Sequence, residues 1–550
     1  MSNPEQRTEW LGPGLICAIG ILFYLTSFPG VFLADDGFSI VDNPNIRSLW
    51  PLSQAVSKPP IHDAPVRPLV YFTLALNYAL GRLNPWGYHA FNLAVHIFAA
   101  LALYGILRRT LQGSHYFTAL SIALIWLVHP LQTQSVTYVI QRAESLMGLF
   151  YLLTLYCMIR GARARGRGIW YAMSVASCAL GMATKPVMVT APLAVLLYDR
   201  IFLVTSLREA LRIRRGLYLS LAATWVILFF VLAASPQGPE TSAGFTRDFT
   251  PLEYALNQPR VILQYLKLVL WPVPQCLDYV WAPADGAAGL LWPAAAVGFS
   301  LLASAWFFWR YPAWGFPALW FFLVLLPSSS FIPIDDLLVE HRMYLPLAGC
   351  ATLAVLGGRE FMRRVFSTAG LRKALSALML TFIIGSLGFL TALRNTVYWS
   401  QERMFRDIVA TRPANYRAHY ALGRILYDRD RIGEAVAHYE EAIRLKPEFP
   451  FTYTSLGNAF LGAGRMDEAL INFRKAIELN PGFAGGYNNL GSALARSGRV
   501  EEAISYFEKA LELNPRDEVA RENLEEAQRA ILENKVAGSG VRGAGRVERE

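Results

Sequence analysis

The sequence predicts an all-α protein in two parts: a polytopic helical membrane domain over residues 1–398 and an α-solenoid over residues 399–533, with a disordered tail at 534–550. Three observations predict it. Hydrophobic residues make up 54% of the chain and charged residues only 17%, where a soluble globular protein carries about a quarter. Leu15–Leu33, Leu217–Ser235, Ala287–Trp309, Tyr311–Ile334 and Ala374–Leu393 contain no charge, and each covers the ~18 or more residues that cross a bilayer core. The last quarter of the chain repeats itself with a period of 34 residues.

The spans follow from hydropathy and from arginine. The loops carrying Arg108-Arg109, Arg160/Arg163/Arg165/Arg167, Arg208/Arg212/Arg214/Arg215, Arg310 and Arg359/Arg363/Arg364/Arg372/Lys373 are expected on the cytoplasmic side. This places about eleven crossings at 13–34, 88–107, 116–136, 144–160, 169–184, 186–200, 217–235, 288–309, 312–333, 343–358 and 374–394. The odd count leaves the C-terminal region outside. Val261–Trp271 is apolar but short, contains Gln264 and Lys267 and runs into Pro272 and Pro274; it is expected to lie at the outer interface. Arg7 is the only basic residue before the first apolar run, and Asp35-Asp36 stand where a small-residue cleavage site would be, so that run reads as an uncleaved span.

The net charge of +10 is explained by these loops, and no nucleic-acid partner is expected. Four of the five cysteines, Cys17, Cys157, Cys178 and Cys350, lie in apolar runs and Cys276 lies in a loop, with no CxxC spacing. That excludes a disulfide framework and a thiolate metal site.

In the repeat region Pro413, Pro447, Pro481 and Pro515 are spaced by 34 residues, as are Leu422-Gly423, Leu456-Gly457 and Leu490-Gly491. Ala435, Ala469 and Ala503 keep the spacing, as do Tyr439, Phe473 and Phe507, and Ala442, Ala476 and Ala510. This is the tetratricopeptide signature. Glycine and alanine let two antiparallel helices approach, the aromatic fills between them, and proline ends the second helix. Repeats at 416–449, 450–483 and 484–517, a preceding helix near 402–411 and a capping helix near 517–533 meet the minimum for a stable solenoid. The tail from Glu533, with Gly538, Gly540, Gly543 and Gly545, reads as disordered. A groove lined by the first helix of each repeat would present Tyr420, Arg424, Tyr427, Thr454, Asn458, Asn488 and Asn489. Its asparagine amides can both donate to and accept from an extended peptide; a merely solvated face is the alternative for each residue.

Titratable residues gather in the outer loops. The first, 35–87, holds Asp35, Asp36, Asp42, Asp63 and Arg67, and the others hold Gln141-Arg142-Ala143-Glu144, Lys185, and Asp335-Asp336 leading to Glu340-His341-Arg342. Adjacent acids at the exit of a span are costly unless used, although acids also mark helix ends in headgroup water.

The stretch from Asp35-Asp36 to Ile46, then Arg67-Pro68-Leu69, Leu76-Asn77-Tyr78 and Leu83-Asn84-Pro85-Trp86-Gly87-Tyr88-His89, resembles the first luminal loop of the transmembrane and tetratricopeptide repeat O-mannosyltransferases. The similarity continues through His129-Pro130, Gln141–Glu144, Trp271-Pro272 with Asp278, and His341–Pro346, and with the repeats covers most of the chain. The resemblance implies a GT-C-like membrane glycosyltransferase, a polyprenyl-phosphate-linked sugar as donor and an inverting transfer to a hydroxyl of a protein or peptide acceptor.

Such a transfer needs a carboxylate to take the hydroxyl proton and cations to stabilise the departing phosphate. Asp35 and Asp36 are the catalytic candidates, with a lean toward Asp36 as the one further into the loop. Arg67, Arg142, Lys185, His341 and Arg342 are the candidates for the phosphate, and Glu144 and Glu340 for support. Where family members place Lys-Glu and Glu-Arg, this chain has Lys185-Pro186 and His341-Arg342, which leaves Glu340 as the substitute acid. A divalent cation would need oxygen ligands such as Asp35, Asp36 or Glu144. His89, His96 and His129 lack a third partner at metal spacing, and His129-Pro130 reads as a kink with a hydrogen-bonded imidazole. The short arginine-rich loops and the lack of an Asn-x-Ser/Thr sequon point to a bacterial inner membrane with the repeats in the periplasm. The competing readings are a non-catalytic membrane-anchored scaffold and a transporter of lipid-linked sugars.

Overall fold

A computed structural model describes residues 4–60, 64–111, 116–235, 250–284, 286–330, 332 and 336–544. Among them no strand occurs. The chain forms two compact units, Met1–Met404 and Phe405–Glu550.

The first unit is built from helices α1 Pro4–Tyr24, α2 Pro68–Gly81, α3 Pro85–Thr110, α4 Tyr116–Val128, α5 Arg142–Arg163, α6 Arg167–Met182, α7 Ala191–Phe202, α8 Arg215–Ala233, α9 Pro251–Leu270, α10 Gly286–Arg310, α11 Pro312–Leu325, α12 Pro346–Val365 and α13 Ala369–Asn395. Proline opens several of them because its missing N–H costs nothing in a first turn. At α3 the Asn84 side chain also accepts from Trp86 N, and at α9 Thr250 and Glu253 close a capping box ahead of Pro251.

Among the described residues six helices are long and apolar enough to cross a membrane, Trp10–Ser27, Pro85–Thr110, Val139–Arg163, Arg215–Ala233, Ala288–Arg310 and Ala369–Trp399, or up to eight if each of two bent pairs is one span. This is a membrane protein. This test of length and composition passes over shorter segments among the eleven expected. Pro312–Leu325 is apolar but short, as is the 16-residue α6, and α12 carries arginines through its second half. One bent pair turns by 55° between Val128 and Pro130, and there the His129 ring bonds the carbonyl of Val269 at 3.1 Å and the N–H of Leu131 at 3.2 Å. The expected kink and bonded imidazole are both present. Val261–Trp271 lies mostly in amphipathic α9, which buries Tyr254, Val261, Tyr265 and Leu268.

The core packs fully buried Trp126, Tyr151 and Tyr344. The polar groups of its centre are paired across helices: Trp126 Nε1 donates to Tyr344 O at 2.8 Å, and the His96 ring bridges Tyr344 Oη and Leu127 O, both at 2.9 Å. His96 is thus a satisfied core residue. α10 and α13 turn most of their apolar surface outward, toward lipid.

The second unit is the solenoid, entered through the helix Gln401–Thr411 and formed by the pairs Tyr416–Tyr427/Ile432–Leu445, Pro450–Gly462/Met466–Leu479 and Ala484–Arg496/Val500–Leu513. Glycine is required at the contact between the helices of each pair. A Cβ at Gly423, Gly457 or Gly491 would meet the ring of Tyr439, Phe473 or Phe507 at 2.6, 2.6 and 2.7 Å. The final helix, Glu518–Ala544, continues through the stretch for which disorder is expected. No proline interrupts it, and isolated glycines cost only about 1 kcal/mol each.

Candidate active site

Asp35 and Asp36 follow α1 and its short extension and have opposite environments. Asp36 is fully buried. Its Oδ2 accepts from Leu33 N at 3.0 Å and its Oδ1 from Ile140 N at 2.8 Å. Burial pushes its carboxyl up from 3.8 to about 8, against the pull of those two N–H groups and of Arg142. Asp35 is solvent-exposed, and its N–H donates to Tyr138 Oη at 2.9 Å. The carboxylate toward which the sequence leans, Asp36, thus has both oxygens bonded and ties the end of the first span to the backbone before α5, whereas Asp35 is exposed.

The first turn of α5 connects this pair to a group of cations. Glu144 on that turn is buried and forms an ion pair with Lys185. Burial lowers the Lys185 ammonium below its ordinary value, with Arg67 and Arg342 adding to the effect and Glu144 opposing it. His341 is held well below its ordinary value by burial and then by Lys185, Arg342 and Arg67. Its ring is neutral, and its buried Nδ1 has no partner among the described residues. Arg342 is anchored from behind: its guanidinium donates to Tyr254 Oη and Leu337 O at 3.1 Å and to Asp336 O at 2.9 Å. Four of the five expected phosphate-binding residues thus converge, with one carboxylate among them.

Arg142 is the exception. It is completely buried, donates to Asn77 Oδ1 at 2.6 Å and Tyr88 O at 3.3 Å, and stacks over Phe91 at 4.8 Å. A guanidinium held this way braces α2 and α3 against α5. Glu340 is likewise engaged: it accepts from Gln275 Nε2 at 2.9 Å, Cys276 N at 2.8 Å and Tyr279 Oη at 2.6 Å. It fixes the 275–279 loop beside His341. Sequence reasoning missed Tyr138, Gln134 and Tyr254. Gln134 Oε1 accepts from His341 N at 2.8 Å, and its place between the polar motifs His129-Pro130 and Gln141–Glu144 was the available signal.

Asp63 and Asp335 lie outside the described residues. Among the described residues no group of three His, Cys, Asp or Glu is placed to hold a metal. His89 bonds Gly30 O at 3.2 Å, away from His96.

In the solenoid Arg424 is exposed and Tyr420, Tyr427, Asn458 and Asn489 are half-buried. Tyr420 packs on Phe449 at 5.5 Å between ring centres. Asn488 is nearly buried, and its Oδ1 accepts from Asn523 of the last helix at 2.9 Å.

Residues 60–234 match the model of the dolichyl-phosphate-mannose-protein mannosyltransferase domain, and residues 423–464 and 454–518 match tetratricopeptide repeat models. The protein O-mannosyl-transferase F38B6.6 of Caenorhabditis elegans is 25% identical over 466 residues, 79% of this chain and 63% of that one. Protein O-mannosyl-transferase TMTC4 of Mus musculus is 25% identical over 501 residues, 76% of this chain and 64% of that one. The chain thus spans just under two thirds of the length of these relatives. Among solved structures, the Sgt2 tetratricopeptide domain of Aspergillus fumigatus is 20% identical, covers 22% of this chain and 81% of that one, and has a TM-score of 0.21. With a mannosyltransferase domain and tetratricopeptide repeats in one chain, the protein is a homologue of the transmembrane and tetratricopeptide repeat O-mannosyltransferases.

Proposed function

We propose that this protein transfers mannose or a similar hexose from a polyprenyl-phosphate carrier to a hydroxyl of a protein acceptor at the outer face of a bacterial inner membrane. The observation that carries the reading is the exposed Asp35, set on backbone that buried Asp36 locks to the start of α5, whose first turn leads through Glu144 to the cations Lys185, Arg67 and Arg342. Asp35 takes the proton of the acceptor hydroxyl as its oxygen bonds to the anomeric carbon. The bond from that carbon to the phosphate oxygen breaks, and the lipid phosphate leaves with its charge held by Arg67, Lys185 and Arg342. Neutral His341 offers a hydrogen bond there without adding charge. The repeats take the acceptor on the periplasmic side through Tyr420, Arg424, Tyr427, Asn458 and Asn489.

The test is transfer of radiolabel by the purified full chain from a panel of polyprenyl-phosphate sugars to a serine- and threonine-containing protein substrate. Label appearing on the protein supports the reading; release of free sugar or no transfer from any donor contradicts it. Arg342→Ala should slow transfer by the loss of a charge-assisted bond, about 1.5–3 kcal/mol. Arg342→Lys should recover only part, since a point charge cannot reproduce the fork.

A further inference from the structure

One cavity lies away from Asp35. It measures about 480 Å³ and lies among α3, α5, α7, α11 and α12. Leu103, Leu155, Phe316, Trp320 and Leu356 make its wall apolar, while Arg359, Glu360 and Arg363 stand at one end. That end belongs to the side of the unit away from the candidate active site. α5 begins at Arg142 and ends at Arg163, 22 residues, roughly 32 Å at 1.5 Å per residue.

A second observation concerns charge. Arg108 and Arg109 close α3, Arg160 and Arg163 close α5, and all three of the others act electrostatically on Arg109. Arg109 and Arg163 act in turn on Tyr198, which lines the cavity and bonds Thr110 Oγ1 at 2.6 Å. None of these four arginines forms an ion pair among the described residues. Arg108, Arg109 and Arg160 lie over aromatic rings instead, at 5.6, 4.9 and 4.4 Å. The nearby carboxylate, Glu360, is already paired with Arg363 and Arg364 at 2.8 and 2.9 Å. Orientation of the chain in the membrane accounts for arginine in these loops, but it does not account for an apolar cavity opening beside them.

We propose that this cavity binds one anionic phospholipid, with an acyl chain along Leu103, Leu155, Trp320 and Leu356 and its phosphate at the Tyr198 end, toward Arg109 and Arg163. Clustered guanidiniums next to an apolar groove between spans are complementary to a phosphodiester that carries a chain. A reactive donor phosphate does not fit there, because it would be a helix length from Asp35. The bound lipid would join α11 and α12 to α3 and α5 at the arginine-rich ends.

The test is native mass spectrometry of the full chain in mild detergent, titrated separately with phosphatidylglycerol, phosphatidylcholine and undecaprenyl phosphate. One phosphatidylglycerol should be retained at least about tenfold more tightly than phosphatidylcholine. Arg109→Ala with Arg163→Ala should weaken it about tenfold or more, a loss typical of charge-assisted bonds. Leu356→Trp, which fills the groove, should weaken it similarly, whereas Arg208→Ala with Arg212→Ala, two exposed arginines elsewhere, should leave it unchanged. Equal retention of the two phospholipids would overturn the site, as would an unchanged arginine double variant. A loss confined to Leu356→Trp would also overturn it, because the groove would then hold a chain without a headgroup. Tighter binding of undecaprenyl phosphate than of phosphatidylglycerol would do the same.

Discussion

Two neighbouring carboxylates, identical in chemistry, are divided by burial alone. Asp36 has its oxygens on Leu33 N and Ile140 N, so Asp36→Asn places an amide NH₂ against a backbone N–H and should cost about 1–3 kcal/mol in stability. Its pH dependence has a definite sign. The folded carboxyl titrates near 8 against an ordinary 3.8, so its contribution is complete below pH ~4 and is lost as pH rises through ~8. The thermal midpoint of the wild type should fall over that window, and Asp36→Asn should flatten the slope; an equal slope in both proteins would refute the assignment. Glu144→Gln should cost about 3–5 kcal/mol, because it strands the Lys185 ammonium at a mostly buried position. Restored stability in Glu144→Gln with Lys185→Met would show that the stranded charge is the cause. Sequence legibly brought out the polar residues of this site and their grouping with Arg67 and Arg342. It was silent on which of them are walled in: adjacency cannot distinguish Asp35 from Asp36, and Arg142 looks like a phosphate ligand until Asn77 and Tyr88 are seen to hold it.

Elements were easiest to read where a period repeats. The glycine–aromatic register of Gly423/Tyr439, Gly457/Phe473 and Gly491/Phe507 follows from spacing because each repeat solves the same packing problem in sequence-local contacts. Gly457→Leu forces a side chain into the Phe473 ring and should destabilise the array by about 1–3 kcal/mol or more. Circular dichroism of the variant should show a lower melting transition than the wild type. If transfer to a short peptide survives while transfer to a protein acceptor falls, the array selects the acceptor; loss of both in parallel would contradict that role. Membrane elements were less legible. The 55° bend at His129-Pro130 was legible from its proline, but hydropathy finds only apolar runs and not the amphipathic path of α9, which is set by the face that packs on the core. The last helix also ran past its expected end, since composition reports weak helix formers but not the continuity of the turns before them.

At the scale of the whole molecule, topology and chemistry must agree. The orientation proposed above, with the arginine-rich helix ends in the cytoplasm, requires Asp35 and the cations of Lys185, Arg67 and Arg342 to face outward. A reporter active only outside the cytoplasm, fused after Ala544, should therefore be active, and activity of a cytoplasm-only reporter there would reverse the orientation. Fold class and family were readable from hydropathy, the 34-residue period and the loop motifs, whereas the cavity at the far ends of α3, α5 and α12 was not, because it forms only when distant helices pack. The most direct test of the central claim is the rate of sugar transfer from a polyprenyl-phosphate donor by purified Asp35→Asn, compared with wild type of equal thermal midpoint. Loss of a general base predicts a fall of about 10²–10⁴-fold with the fold intact, and retention of more than about half the wild-type rate would contradict Asp35 as the residue that takes the proton.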